Sequence, residues 1–151
     1  MGMIIGNSIK LAMNYKMGWS IKTKTMLMGS ENKWRRGGED LGFDFFNLEN
    51  GVFTYKKPLR VLGYNNYGDY ADVFLAKDNK HILFGIESDL TQGGYDLYFS
   101  QPKDEDVFGL LQNMGKSLNT VADETNPFLL SDNKTLIFTS NVYSGYGDVD
   151  L

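Results

Sequence analysis

Cysteine does not occur in the 151 residues. Its absence excludes disulfides, thiolate metal sites and a cysteine nucleophile together. It leaves the compartment open, because an oxidising periplasm tolerates cysteine-free chains. Histidine occurs once, as His81. Multi-histidine metal centres are therefore excluded, and a Ser-His-Asp triad has a single candidate base. No Gly-x-Ser-x-Gly elbow is present for that base to serve, so His81 reads as a strand-edge residue. No apolar run approaches the roughly 18 to 20 residues that span a bilayer, so the chain is expected not to span a membrane. The start, Met1-Gly2-Met3-Ile4-Ile5-Gly6, lacks a basic region and an uninterrupted apolar core, and no signal peptide is read there. Gly6 also stands where a myristoylation pattern needs Ser or Thr. Positive charge is scarce. The formal net charge is −4, which does not suit a phosphate backbone or an anionic membrane, so no nucleic-acid partner is expected. The one dense basic cluster, Lys33-Trp34-Arg35-Arg36, reads as a solvated loop.

What is present is apolar and aromatic residues, 42% and 14% of the chain, enough for a sizeable core. There is also a repeat. Asp78-Asn79-Lys80-His81-Ile82-Leu83-Phe84, followed by Gly93-Gly94-Tyr95-Asp96-Leu97, returns as Asp132-Asn133-Lys134-Thr135-Leu136-Ile137-Phe138, followed by Gly147-Asp148-Val149-Asp150-Leu151. The offset is constant at 54 positions (78 to 132, 84 to 138, 96 to 150), and Phe74-Leu75 and Phe128-Leu129 obey it. Each repeat is one supersecondary unit.

The first third is a degenerate copy. Thr25–Asn32 can be laid over His81–Ser88, and Gly42–Phe46 over Gly94–Tyr98, with offsets of 56 and 52. Ser8–Tyr15 alternates as a half-buried strand does. Asn50-Gly51 signals a hairpin joining Phe43–Leu48 to Val52–Lys56. Pro58 should stop that strand or confine it to an edge. In the second unit the expected strands are Ala71–Ala76, His81–Glu87, Gly94–Ser100 and Val107–Gln112. In the third they are Pro127–Leu130, Thr135–Ser140 and Asp148–Leu151. Short strands between turn signals predict an all-β fold. Four strands per period is the spacing of a propeller blade, whereas a β-sandwich leaves the repeat unexplained. The expected architecture is thus a β-propeller array of two complete four-stranded blades plus a partial third: a degenerate blade over 1–57, a blade over 58–112 and a truncated blade over 113–151. Because a closed propeller needs at least about four blades, the chain is expected to be a piece of a longer array or to self-associate through open blade edges.

At these residues the sequence resembles the WD40-like repeat of the TolB family, and more closely the copies in OmpA-family cell-envelope proteins of Bacteroidota. The resemblance is carried by Pro127-Phe128, Asp132-Asn133-Lys134, Thr135–Ser140, Gly145-Tyr146-Gly147 and Asp150-Leu151. It is also carried by Asn119-Thr120 and Asp123-Glu124 in the linker, and by Phe74-Leu75, Phe84 and Gly93–Tyr98 in the preceding unit. It covers 71–151 well and 1–70 weakly. Phe53 and Phe108 stand near where that family has a fourth-strand tryptophan, and no OmpA-like peptidoglycan-binding domain is present. The resemblance implies a periplasmic or outer-membrane-associated setting and a protein or glycan partner in the cell envelope. It is specific for the repeat and unspecific for activity; no cofactor is expected, and the lack of catalytic residues argues against an enzyme.

Asp78, Asn79 and Asp96 recur in register as Asp132, Asn133 and Asp150, with Gly94 and Gly147 shortly before the strand aspartates. They read as structural turn chemistry, each Asp capping backbone amides of its own unit. The other reading of Asp96 and of Asp148-Val149-Asp150 is a cation or ligand site at the loop rim. Asp123-Glu124 and Asp104-Glu105-Asp106 read as solvated rather than as a glycosidase pair. The sequon Asn133-Lys134-Thr135 has no counterpart at Asn79-Lys80-His81 and reads as an accident of the turn. The candidates for partner binding are the unrepeated tyrosines: Tyr64, Tyr67 and Tyr70 in one loop, Tyr143 and Tyr146 in another. Tyrosine offers large contact area at little entropic cost, and the same rings could instead plug gaps between units. The expected function is a non-enzymatic interaction or scaffold module. The alternative is the propeller portion of a hydrolase, carbohydrate-active or peptidase, whose catalytic domain lies elsewhere.

Overall fold

The computed structural model describes residues 17–20, 25–30, 42–78 and 80–142; for 17–20, 25–30, 42 and 48 it describes the backbone alone. The described chain is all-β, as the strand spacing predicts. Twelve strands occur in order: β1 (Met17–Ser20), β2 (Thr25–Ser30), β3 (Gly42–Glu49), β4 (Val52–Leu62), β5 (Asp72–Leu75), β6 (Ile82–Ile86), β7 (Asp96–Ser100), β8 (Pro102–Asp104), β9 (Val107–Leu110), β10 (Gln112–Asn113), β11 (Glu124–Leu129) and β12 (Leu136–Ser140). They form a six-stranded sheet in the order β1-β2-β3-β4-β9-β8, a four-stranded sheet in the order β10-β7-β6-β5, and the pair β11-β12. No helix of the described chain is long and apolar enough to cross a membrane.

Local chemistry explains the hairpins. Asn50 and Gly51 both have positive φ, 52° and 78°, and they join β3 to β4 with Glu49 opposite Val52. Two positive-φ residues make the turn whose twist matches the flanking strands. Asp132 Oδ1 accepts from the amides of Lys134 and Thr135, both at 2.9 Å, while Asn133 takes φ 55°. Asp78 Oδ1 accepts from the Lys80 amide at 2.8 Å in the equivalent turn. Asparagine and aspartate tolerate this geometry because a short polar side chain bonds the local backbone.

The sheets stack face to face. Phe43, Leu59 and Val61 of the first sheet pack with Val73, Phe84 and Tyr98 of the second in one buried cluster. β6 is buried along its whole length, because its other face is covered by the third sheet. There Gly85 permits close approach: a Cβ at this position would lie 3.2 Å from Thr125 Cα and 3.3 Å from Glu124 O. β1 and β2 lie beside β5.

Three expectations are corrected. Pro58 does not end its strand, since β4 continues to Leu62 with Pro58 opposite Asp44. On its other side β4 is paired only from Arg60 onward, by β9 in parallel, so no ladder bond is asked of the proline. The unit boundary expected between 57 and 58 accordingly falls inside β4. The fourth strand of the second unit is not Val107–Gln112. Val107–Leu110 turns back on β8 and crosses to the first sheet, and Gln112–Asn113 instead closes the second, opposite Phe99 and Tyr98. The crossing is fixed by long-range contacts. Arg60 N donates to Asp106 O at 3.0 Å, Leu111 N to Leu62 O at 2.9 Å, Lys57 Nζ lies 2.6 Å from Asp106 Oδ1, and Phe108 enters the core. Finally, β11 starts at Glu124, ahead of the expected Pro127. The predicted strands Ser8–Tyr15 and Asp148–Leu151 lie outside the described residues.

Candidate functional site

The connections β4–β5, β6–β7 and β10–β11 meet at one end of the stacked sheets. Asn66 ties the first to the second. Its Oδ1 accepts from the amides of Gly68 and Glu87, both at 3.2 Å, and its Nδ2 donates to the carbonyls of Gly68 and Tyr70, both at 3.1 Å. One amide thus both shapes residues 66–70 and pins them to Glu87 just after β6.

This loop separates its three tyrosines. Tyr64 is not a surface residue. It is 7% exposed within the core cluster, edge-on to Phe43 at 5.0 Å and 5.3 Å from Phe84, and burial pushes its hydroxyl pKa far up. Its candidacy for partner binding is withdrawn, because the ring fills space between the first two sheets. Tyr67 and Tyr70 are 59% and 47% exposed. The Tyr67 hydroxyl donates to Asp89 Oδ1, which raises its pKa. Tyr70 stacks on Tyr95 with centroids 4.1 Å apart and planes 15° from parallel. Desolvation first, then Tyr95, Asp123 and Asp72, raise the Tyr70 pKa, so both phenols stay protonated. Tyr143 and Tyr146 lie outside the described residues.

The repeated motif sits in turns and junctions. Asp96 is fully buried. Its Oδ2 accepts from the Gln92 amide at 3.2 Å and from Asn113 Nδ2 at 2.8 Å, capping its own loop, while Oδ1 has no hydrogen-bond partner among the described residues. Desolvation, with a smaller contribution from nearby Glu124, raises its pKa against those hydrogen bonds. Gly93 and Gly94 meet the incoming linker: a Cβ on Gly93 would run into the Ala122 carbonyl, and one on Gly94 into the Asp123 carboxyl. Gly147, Asp150 and Asn79 lie outside the described residues. At the opposite end, Asp78 Oδ2 accepts from His81 Nδ1 at 2.8 Å and from Asn133 Nδ2 at 3.2 Å. Burial opposes ionisation of Asp78, but hydrogen bonds from the Lys80 amide and His81 outweigh it and hold its pKa low. The amides of Thr135 and Lys134 do the same for Asp132. No group of three or more His, Cys, Asp or Glu side chains able to hold a metal occurs among the described residues.

The linker carries more structure than its composition suggests. Asn119, 2% exposed, accepts from Leu97 N at 2.8 Å and returns its own N–H to Leu97 O at 3.0 Å. It thereby extends the sheet beyond the two-residue β10. Glu124, fully buried, accepts from Thr120 N, Thr120 Oγ1 and Ser140 Oγ at 2.7 to 2.8 Å. Asp123 Oδ1 accepts from Tyr95 N at 2.9 Å, and Oδ2 from Asn141 Nδ2 at 3.1 Å. The acidic pair expected to be solvated is therefore bonded into the junction, and its Glu is buried. Asn66, Tyr95 and Asn119 are the site-shaping residues that residue-by-residue reading missed. The signal for Asn119 was its place in the recurring linker. Tyr95 was absorbed into the repeat, and Asn66 into a polar turn.

The class these features define is an all-β chain of three stacked sheets with a tyrosine- and aspartate-bearing loop end. No family model, curated protein or solved structure matches the chain.

Proposed function

We propose that the chain is a non-enzymatic interaction module of β-propeller type, built from WD40-like repeats and serving as a scaffold in a bacterial cell-envelope protein similar to the OmpA family. The observation that carries the propeller reading is that equivalent residues of successive repeats touch: Phe74 meets Phe128 and Asp72 accepts from the Asn126 amide, each pair 54 positions apart. Repeats that bury their faces on their neighbours behave this way. The antiparallel order β5-β6-β7-β10 agrees with a blade, and the β8–β9 hairpin is then an insertion clasping the previous blade. The interaction reading is supported by Tyr67 and Tyr70, which stand exposed on loops held rigid by Asn66, where binding residues are most often displayed.

The test is recovery of partners from bacterial envelope extract on the immobilised chain, compared with a Tyr67→Ala/Tyr70→Ala variant. Loss of specific partners with the variant is expected. Identical recovery would remove this loop from the binding account, and turnover of a glycoside or peptide substrate by the chain alone would overturn the non-enzymatic reading.

A further inference from the structure

The tyrosine-bearing end has a charge character that narrows its partner. Tyr70 has one face against Tyr95, and Tyr95 is backed by the Gly68 backbone, which a Cβ would drive into its ring. A ring so mounted and 47% exposed turns its other face to solvent, with little freedom left to lose on binding. Four carboxylates lie on or beside the loops of this end. Asp69 precedes Tyr70 in the chain, Asp72 and Asp123 lie near enough to disfavour its ionisation, and Asp89 holds the neighbouring Tyr67 hydroxyl. Hydrogen bonds occupy Asp72, Asp89 and Asp123. The ion pairs that join described residues to one another, Lys56–Glu49, Lys57–Asp106 and His81–Asp78, involve none of the four.

An aromatic face attracts cations through its quadrupole, and uncompensated carboxylates around it add to the same field. Phosphate-bearing and other anionic ligands are repelled. We infer that this end docks a cationic peptide segment, with an arginine side chain laid on the exposed face of Tyr70, next to Asp123 beneath the stacked Tyr95. The planar guanidinium suits this better than lysine because it can stack and pair with a carboxylate at once. The inference rests on the interaction reading of this end and adds the chemistry of the partner.

The experiment is an NMR titration of the full chain, labelled at tyrosine, with acetyl-tetra-arginine amide. Acetyl-tetra-glutamine amide and chitohexaose are titrated in parallel. Saturable movement of the Tyr70 and Tyr95 ring signals by the arginine peptide alone is expected. Binding should weaken several-fold between low and moderate salt. It should fall about three- to tenfold in Tyr70→Ala and much less in Tyr70→Phe, with the untouched resonances reporting an intact fold. Equal binding by Tyr70→Ala would reduce the effect to general charge attraction and overturn the proposal. Ring shifts with chitohexaose but not with the arginine peptide would overturn the cationic partner while leaving a tyrosine binding surface in place. Ring shifts with none of the three would remove both.

Discussion

Phe74 and Phe128 occupy the same position in successive repeats, and their rings meet with centroids 4.9 Å apart at an angle of 55°. The contact spans the interface between the second and third sheets, next to the hydrogen bond from the Asn126 amide to Asp72. Because the two phenylalanines are also 54 positions apart in sequence, the period of the repeat is the period of the packing. A double-mutant cycle on Phe74→Ala and Phe128→Ala should give a coupling of about 0.5–1.5 kcal/mol in denaturant unfolding. A coupling of zero would mean that the rings do not meet in solution.

Gly93 should tolerate no side chain. Its missing Cβ leaves room for the Ala122 carbonyl, and a backbone oxygen has less freedom to move aside than a flexible side chain. Gly93→Ala is expected to cost about 2–3 kcal/mol in urea unfolding. Gly51→Ala, where nothing lies within 4 Å but φ is 78°, should cost about 1 kcal/mol from backbone conformation alone.

Asn119→Ala removes both hydrogen bonds to Leu97 and one to Asn113 Oδ1, leaving the buried Leu97 amide unpaired while its carbonyl keeps the Met114 amide. The expected loss is about 2–4 kcal/mol, with amide exchange accelerated at Leu97. Protection of the Leu97 amide equal to that in the parent chain would show that Asn119 is not its partner.

Tyr64 and Tyr70 should respond very unequally to truncation. Tyr64→Ala opens a cavity between the first two sheets and should cost about 3–5 kcal/mol. Tyr70→Ala loses a stacking contact at the surface and should cost about 1 kcal/mol. Equal costs in thermal or urea unfolding would contradict the placement of the two rings.

Asp96 should make stability fall as pH rises. Its folded pKa is raised by burial, so the unfolded chain, with a carboxyl near about 3.9, releases the proton first. Stability then declines as pH climbs from the unfolded pKa through the folded one. Asp78 and Asp132, whose pKa values are lowered, act in the reverse sense, losing stability as pH falls below the ordinary carboxylate range. The difference in urea midpoint between the parent chain and Asp96→Asn, followed from pH 3 to 8, isolates the Asp96 contribution. It should shift in favour of the variant with rising pH, and a flat difference would refute the assignment.

Short-range features were legible in the chain. The Asn50-Gly51 hairpin and the Asp132-Asn133 turn follow from what those side chains do to their own backbone. The strands β5, β6, β7 and β12 follow from apolar runs bounded by turn residues. The site was legible only in part. Tyr67 and Tyr70 could be picked out as unrepeated aromatics, but nothing local distinguishes them from Tyr64, three and six residues before them.

The all-β class, the 54-residue period and the turns depend on neighbours along the chain and can be read from it directly. Long-range packing sets which sheet Val107–Leu110 joins, that Tyr64 is core while Tyr67 and Tyr70 are surface, and that Asn119 and Glu124 lock the junction of the second and third sheets. Each of those outcomes turns on which distant groups reach a place first. Lys57 and Leu62 draw the β8–β9 hairpin across to the first sheet, and Phe43 and Phe84 enclose Tyr64. The buried Leu97 amide must find an acceptor, and the two-residue β10 leaves that place to Asn119.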